Sequence, residues 1–157
     1  MKETVQRVVT ALAEAGVQTE VREFAASTRT AEDAANALGT TVGQIVKSLV
    51  FLAGDRPILV LVSGVNRADT AKLQALVDAE ITRANADDVR RITGYAIGGV
   101  PPFGHLTFLT TFLDRDLLQY EEVWAAAGTP NAVFAITPHD LLRITAAQVA
   151  DVAEAVH

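Results

Sequence analysis

The stretch Ser48-Leu49-Val50-Phe51-Leu52-Ala53-Gly54-Asp55-Arg56-Pro57-Ile58-Leu59-Val60-Leu61-Val62-Ser63 decides the fold. Its two β-rich apolar runs, residues 48–53 and 57–63, flank Gly54-Asp55-Arg56, the spacing of a hairpin with a short glycine-containing loop. They predict two paired strands in the central sheet. Just upstream, Thr41-Val42-Gly43-Gln44 has a capping-box pattern, which predicts a short helix carrying Ile45 and Val46 and closed by Lys47. Before that, Thr30-Ala31-Glu32-Asp33 caps an alanine-rich helix that stops at Gly39. The alternation of Val17, Thr19 and Val21 predicts a strand over 17–24, and Val5, Val8, Val9 and Leu12 recur at helical spacing.

Downstream, Asp69 or Thr70 caps a helix with the stripe Leu73, Leu76 and Val77, residues 81–83 fit a short strand, and Asn85 caps a helix to about Ile92. The cluster from Gly94 to Gly104 contains Pro101 and Pro102, which lack ladder donors, so it is a shaped loop. Residues 106–113, 123–127 and 132–136 read as strands, with a helical turn at 114–118. Thr137-Pro138 opens a helix, and Thr145-Ala146-Ala147-Gln148 reads as a further capping box before a terminal helix to about Val156. Hairpins with scattered helices predict the α+β class: a mixed, largely antiparallel sheet or partly closed barrel flanked by helices.

At 157 residues and 50% hydrophobic, the chain is expected to form one domain over 1–157. It has no cysteine, hence no disulfide framework, thiolate nucleophile or thiolate metal site. Residues 58–62, the most apolar run, are too short to span lipid, and the first seven residues carry an acid and two bases. A cytoplasmic protein without membrane partners is the expectation. The net charge of −6 disfavours coating a long phosphate backbone but leaves open a grip on the end of a nucleic acid.

Common catalytic devices are missing. His105, His139 and His157 are far apart and form no H-x-x-x-H pair, so no metal site is predicted, and there is no G-x-S-x-G elbow or S-x-x-K motif. Gly43-Gln44-Ile45-Val46-Lys47-Ser48 lacks the glycine before lysine that a Walker motif needs. Lys47, set between apolar neighbours, either lays its stem over the core or points its ammonium into a cleft. Gly98 and Gly99 let their N–H groups approach a ligand as an anion-binding nest, or make a tight connection ahead of the next strand. Trp124 reads as core, His139 as a first-turn helix residue, and His105 as a strand-edge residue following the loop. Arg83, Arg90 and Arg91 form either a modest basic rim or a solvated helix face.

Several segments, in order, resemble the YbaK-like family, also called the prolyl-tRNA synthetase associated editing domain. They are Thr30-Ala31-Glu32-Asp33-Ala34-Ala35, Gln44-Ile45-Val46-Lys47-Ser48-Leu49-Val50-Phe51, Asp69 with Lys72-Leu73, the loop from Thr93 to Gly104, and Gly128 with Pro138-His139-Asp140-Leu141-Leu142. Lys47 matches the family's near-invariant lysine, and Gly98 to Pro102 matches its G-x-x-x-P loop. The resemblance implies a trans-editing hydrolase without a cofactor, cleaving the ester between a small amino acid and the terminal adenosine of tRNA, with prolyl-tRNA synthetase as a possible partner.

It further implies Lys47, Gly98 and Gly99 as the catalytic set, with backbone donors stabilising the oxyanion at about 3 kcal/mol each. With no base among the residues, the substrate's free ribose hydroxyl is the candidate for positioning water. Phe24, Ser48, Tyr95, Val100, Pro102, Gly104, Ala132 and Phe134 are the expected substrate-binding residues. Some relatives carry histidine at the position of Ala132 and some cysteine-selective members a polar residue near Val133; this sequence has neither, a departure that leaves the removed amino acid open, with alanine as the expectation and cysteine, serine and 2-aminobutyrate as alternatives. The competing expectation is a non-catalytic module that binds a tRNA end or a nucleotide.

Overall fold

The computed structural model describes residues 2–25 and 30–155. Its helices are α1 (Glu3–Glu14), α2 (Ala31–Leu38), α3 (Thr70–Val77), α4 (Ala86–Thr93) and α5 (Pro138–Thr145). Its strands are β1 (Val21–Glu23), β2 (Val46–Ala53), β3 (Arg56–Ser63), β4 (Ile81–Arg83), β5 (Thr110–Asp114), β6 (Val123–Ala126), β7 (Ala132–Ile136) and β8 (Gln148–Ala150).

The hairpin is β2 with β3, antiparallel in unbroken register from Val46 opposite Ser63 to Ala53 opposite Arg56. It is the centre of a five-stranded sheet ordered β4-β2-β3-β5-β8, whose β3–β5 and β5–β8 pairs are parallel. A smaller antiparallel sheet is ordered β1-β7-β6 and touches the first at a bridge between Ile45 and Trp124. Neither sheet closes on itself, and with helices around two mixed or antiparallel sheets the class is α+β.

The unbroken apolar run in β3 is explained by burial on both faces. Leu59 and Leu61 pack with Val5, Val8 and Leu12 of α1 and with Phe134, whereas Ile58, Val60 and Val62 pack with Leu73 of α3 and Ile81. Side chains on one strand alternate between these two clusters.

Four sequence expectations are corrected. The capping box at Thr41 is present, with Gln44 Oε1 accepting from the Thr41 N–H at 3.3 Å, but it completes a single 3-10 turn, Val42–Gln44. Ile45 is already extended, so Lys47 is a strand residue opposite Val62 and not a helix terminus. The strand expected over 17–24 shrinks to β1, and that over 106–113 starts only at Thr110, after Leu106 and Phe108, which are 66% and 85% exposed.

Finally, the terminal helix is absent over the residues described, and its expected end at Val156 lies outside them. Thr145 ends α5 with its hydroxyl donating to the Leu141 carbonyl at 2.7 Å, and Ala146 turns left-handed at φ 53°. The chain then lays β8 against β5. Ladder bonds to an open strand edge outweigh the helix propensity of an alanine-rich tail.

Candidate active site

A cleft of about 360 Å³ opens where the two sheets meet. The start of β2 supplies Lys47 and Ser48 on one wall, and the first turn of α2 supplies Ala31 and Glu32. Trp124, Ala125 and Ala126 of β6 with Ala132 of β7 form another, and Gly98 and Val100 of the glycine-rich loop close it.

Lys47 is half-buried, and its ammonium donates to the backbone carbonyl of Asn66. That carbonyl is held by a buried network. The Asn66 amide donates to Asp114 Oδ2 and to Asp116 Oδ2, both at 2.8 Å, while Asp114 also accepts from the Ser63 N–H at 3.1 Å and the Asp116 N–H at 2.9 Å. Asp114 is 1% exposed, so its charge is stabilised by these donors instead of water. Burial pushes the Lys47 ammonium below the ordinary lysine range, opposed by Glu32 and Asp114 and reinforced by Arg67 and Arg83. The result is a cation with a fixed position and reduced hydration.

Ser48 stands beside it on β2, and its hydroxyl is buried without a hydrogen-bond partner among the described residues. Such an orphan costs about 1–3 kcal/mol unless a ligand satisfies it.

The loop divides its glycines by task. Gly98 has φ +89°, a left-handed conformation that disfavours side chains. Gly99 lies flush on Thr129, where a Cβ would come within 2.7 Å of backbone. Its N–H donates to the Ala96 carbonyl at 2.9 Å and its carbonyl accepts from the Gly128 N–H at 3.0 Å. The N–H groups of Gly98 and Val100 have no partner among the described residues. His105 Nε2 meets the Pro101 carbonyl at 2.7 Å, and burial holds the imidazole below its ordinary pKa, so its neutral form pins the loop.

Of the residues expected in the site, Lys47, Ser48, Gly98, Val100 and Ala132 come together around the cleft. The others lie outside its lining. Gly99 has no free donor to offer, because Ala96 takes its N–H. Tyr95 is 2% exposed beneath the Arg7 guanidinium, with its hydroxyl donating to the carbonyl of Gly104 at 3.2 Å, so both residues brace the loop from behind. Pro102 is buried, and Phe134 is core, edge-on to Phe103. Phe24 binds Asn131 through its backbone and carries Arg22 over its ring, outside the described lining.

Sequence reasoning overlooked Glu32, which lies inside the quoted Thr30-Ala31-Glu32-Asp33 segment, and it placed Trp124 in the core. Trp124 is instead a half-buried wall of the cleft with Arg22 over its ring. His139 is exposed in the first turn of α5, Arg91 is paired with Asp88, and Arg83 lies over Phe51.

Residues 25–144 match the sequence model of the aminoacyl-tRNA editing domain. The chain belongs to that family. Among relatives of this editing domain, the YwhH protein of Bacillus subtilis, itself uncharacterised, is 33% identical over 79% of this chain and 80% of its own length. EbsC of Enterococcus faecalis, named as a candidate Cys-tRNA(Pro)/Cys-tRNA(Cys) deacylase, is 28% identical over 78% of this chain and 76% of its own. A solved structure described as a candidate trans-editing enzyme for prolyl-tRNA synthetase superposes with a TM-score of 0.94 at 52% identity, covering 99% of both chains.

Proposed function

We propose that this editing domain is a trans-editing hydrolase that deacylates mischarged tRNA, with tRNA(Pro) carrying a small non-cognate amino acid such as alanine or cysteine as substrate. The observation that carries this reading is the half-buried Lys47 ammonium sharing one cleft with the N–H groups of Gly98 and Val100, which are unpaired among the described residues. Hydrolysis of an ester builds negative charge on the carbonyl oxygen, and a fixed cation or an aimed backbone donor stabilises it by about 3 kcal/mol.

The alanines at 31, 125, 126 and 132 make smooth walls that suit a small side chain. A second site of this kind answers a known weakness of amino-acid selection, since one methylene separates substrates by only about 1–3 kcal/mol. Trp124 with Arg22 over its ring offers a face on which the terminal base stacks. The attacking water takes its orientation from the substrate's free ribose hydroxyl. The names of EbsC and of the 52%-identical structure support a tRNA(Pro) substrate and a prolyl-tRNA synthetase partner.

The test is a deacylation panel: purified protein incubated with tRNA(Pro) charged with alanine, cysteine, serine or proline. Release of one or more small amino acids above the buffer rate, with proline retained, is the expected result. Lys47→Ala, folded as judged by circular dichroism, should lose about a hundredfold in rate, the order measured when one oxyanion donor is removed. Lys47-dependent binding of tRNA without turnover would instead identify a binding module.

A further inference from the structure

We propose that Glu32 is a specificity residue that takes the free α-ammonium of the aminoacyl ester, so that the cleft selects unblocked aminoacyl-tRNA over N-acylated forms. This rests on the deacylase reading and adds to it the chemical feature of the substrate that is recognised. Among the described residues lining the cleft, two are charged, and they have opposite sign: Lys47 on β2 and Glu32 in the first turn of α2. Glu32 is the leading electrostatic partner of the Lys47 ammonium, yet the two do not close to an ion pair.

No other ion pair is made by Glu32 among the described residues. The Lys47 ammonium is held instead by the Asn66 carbonyl, which keeps it from collapsing onto the carboxylate. A solvent-exposed carboxylate at the mouth of the cleft, unpaired among the described residues, and a restrained cation therefore line one space.

An aminoacyl ester has matching polarity. Its amine, with a pKa near that of other α-amino groups at about 8, is largely protonated at neutral pH, and one carbon away its carbonyl gathers negative charge during hydrolysis. With the carbonyl oxygen toward Lys47 and the Gly98 and Val100 donors, the ammonium is left for the opposite pole. The adjoining walls, Ala31, Ala34 and the β6 alanines, offer no side-chain acceptor, the Thr30 hydroxyl is engaged by the Asp33 N–H and Ser48 stands beside Lys47, so the carboxylate is the charged group that answers it. Acetylation of the amine removes the charge and adds bulk, and leaves Glu32 facing an amide. A helix-dipole role for Glu32 in the first turn of α2 would stabilise the fold equally for every substrate.

The experiment compares wild type, Glu32→Gln and Glu32→Asp on the member of the tRNA(Pro) panel that wild type cleaves fastest, presented free and as its N-acetyl derivative. Wild type should favour the free amine in kcat/KM by about ten- to a hundredfold, the worth of one charge-assisted hydrogen bond. Glu32→Gln should lose that factor on the free ester alone, with the N-acetyl rate serving as the check that the cleft is intact, and Glu32→Asp should recover part of it. Equal wild-type rates on the two esters overturn the proposal, as does a Glu32→Gln variant that slows both by one factor or neither. Cleavage of neither ester by wild type overturns the deacylase reading and this proposal with it.

Discussion

Gly98 and Gly99 are neighbours of one type with different jobs. Gly99→Ala drives a Cβ into the Thr129 backbone at 2.7 Å and should cost about 1–3 kcal/mol of stability, read as a lowered urea midpoint. Gly98→Ala strains a φ of +89°, so its expected signature is a larger loss of deacylation than of stability.

Lys47 carries a pH prediction. Because burial lowers its pKa, the ammonium is lost as pH rises, starting below the ordinary lysine value of about 10.4. The buffer-corrected deacylation rate should therefore fall on the alkaline side with a midpoint below that value. Lys47→Arg, if active, should hold its rate to higher pH, since guanidinium stays charged. The lysine and the small wall residue Ala132 were legible in the sequence because motif position carried them. The orphan hydroxyl of Ser48 and the use of the Gly99 N–H were not, since both depend on partners that only folding brings near.

At the scale of elements, the turn from β3 into α3 is organised by the Asp114 carboxylate at the end of β5. It accepts from Ser63, Asn66 and Asp116, and Asn66 in turn holds Lys47. Asp114→Ala leaves the buried Ser63 N–H without a partner and should cost about 3 kcal/mol or more in denaturant unfolding, with deacylation falling further as Lys47 loses its anchor. The β2–β3 hairpin, α2 to α5 and the Gly54 turn were legible, because periodicity and caps are local signals. The tail was misread for the opposite reason. Nothing within residues 145–150 announces a strand, and β8 exists because β5 presents an open edge to it. Lys47 was misplaced by a few residues because the Thr41–Gln44 box specifies where a turn starts and not how soon it ends.

For the whole molecule, the charge of −6 limits how RNA can be held. A domain that grips only the acceptor end neutralises few phosphates, so the logarithm of its tRNA affinity should fall with log salt at a slope of about −2. Titrations by fluorescence anisotropy between low and physiological salt measure it, and a slope several times steeper would mean contacts well beyond the terminus.

The class of the fold followed from the mixture of hairpins and helices, yet the split into two sheets did not. Pairing of β1 with β7 joins segments from opposite ends of the chain, and no local pattern encodes such a partner. That split has a kinetic consequence. Lys47 and Ala132 belong to walls separated by most of the sequence, and the parallel β3–β5 pair closes only after the whole 64–109 segment has been gathered. Such topologies fold in about milliseconds to seconds, since loop closure precedes its reward. On the ribosome, a nascent chain that has extruded the lysine but not yet β7 holds one half of a pocket, so the cleft comes into being only near the end of synthesis.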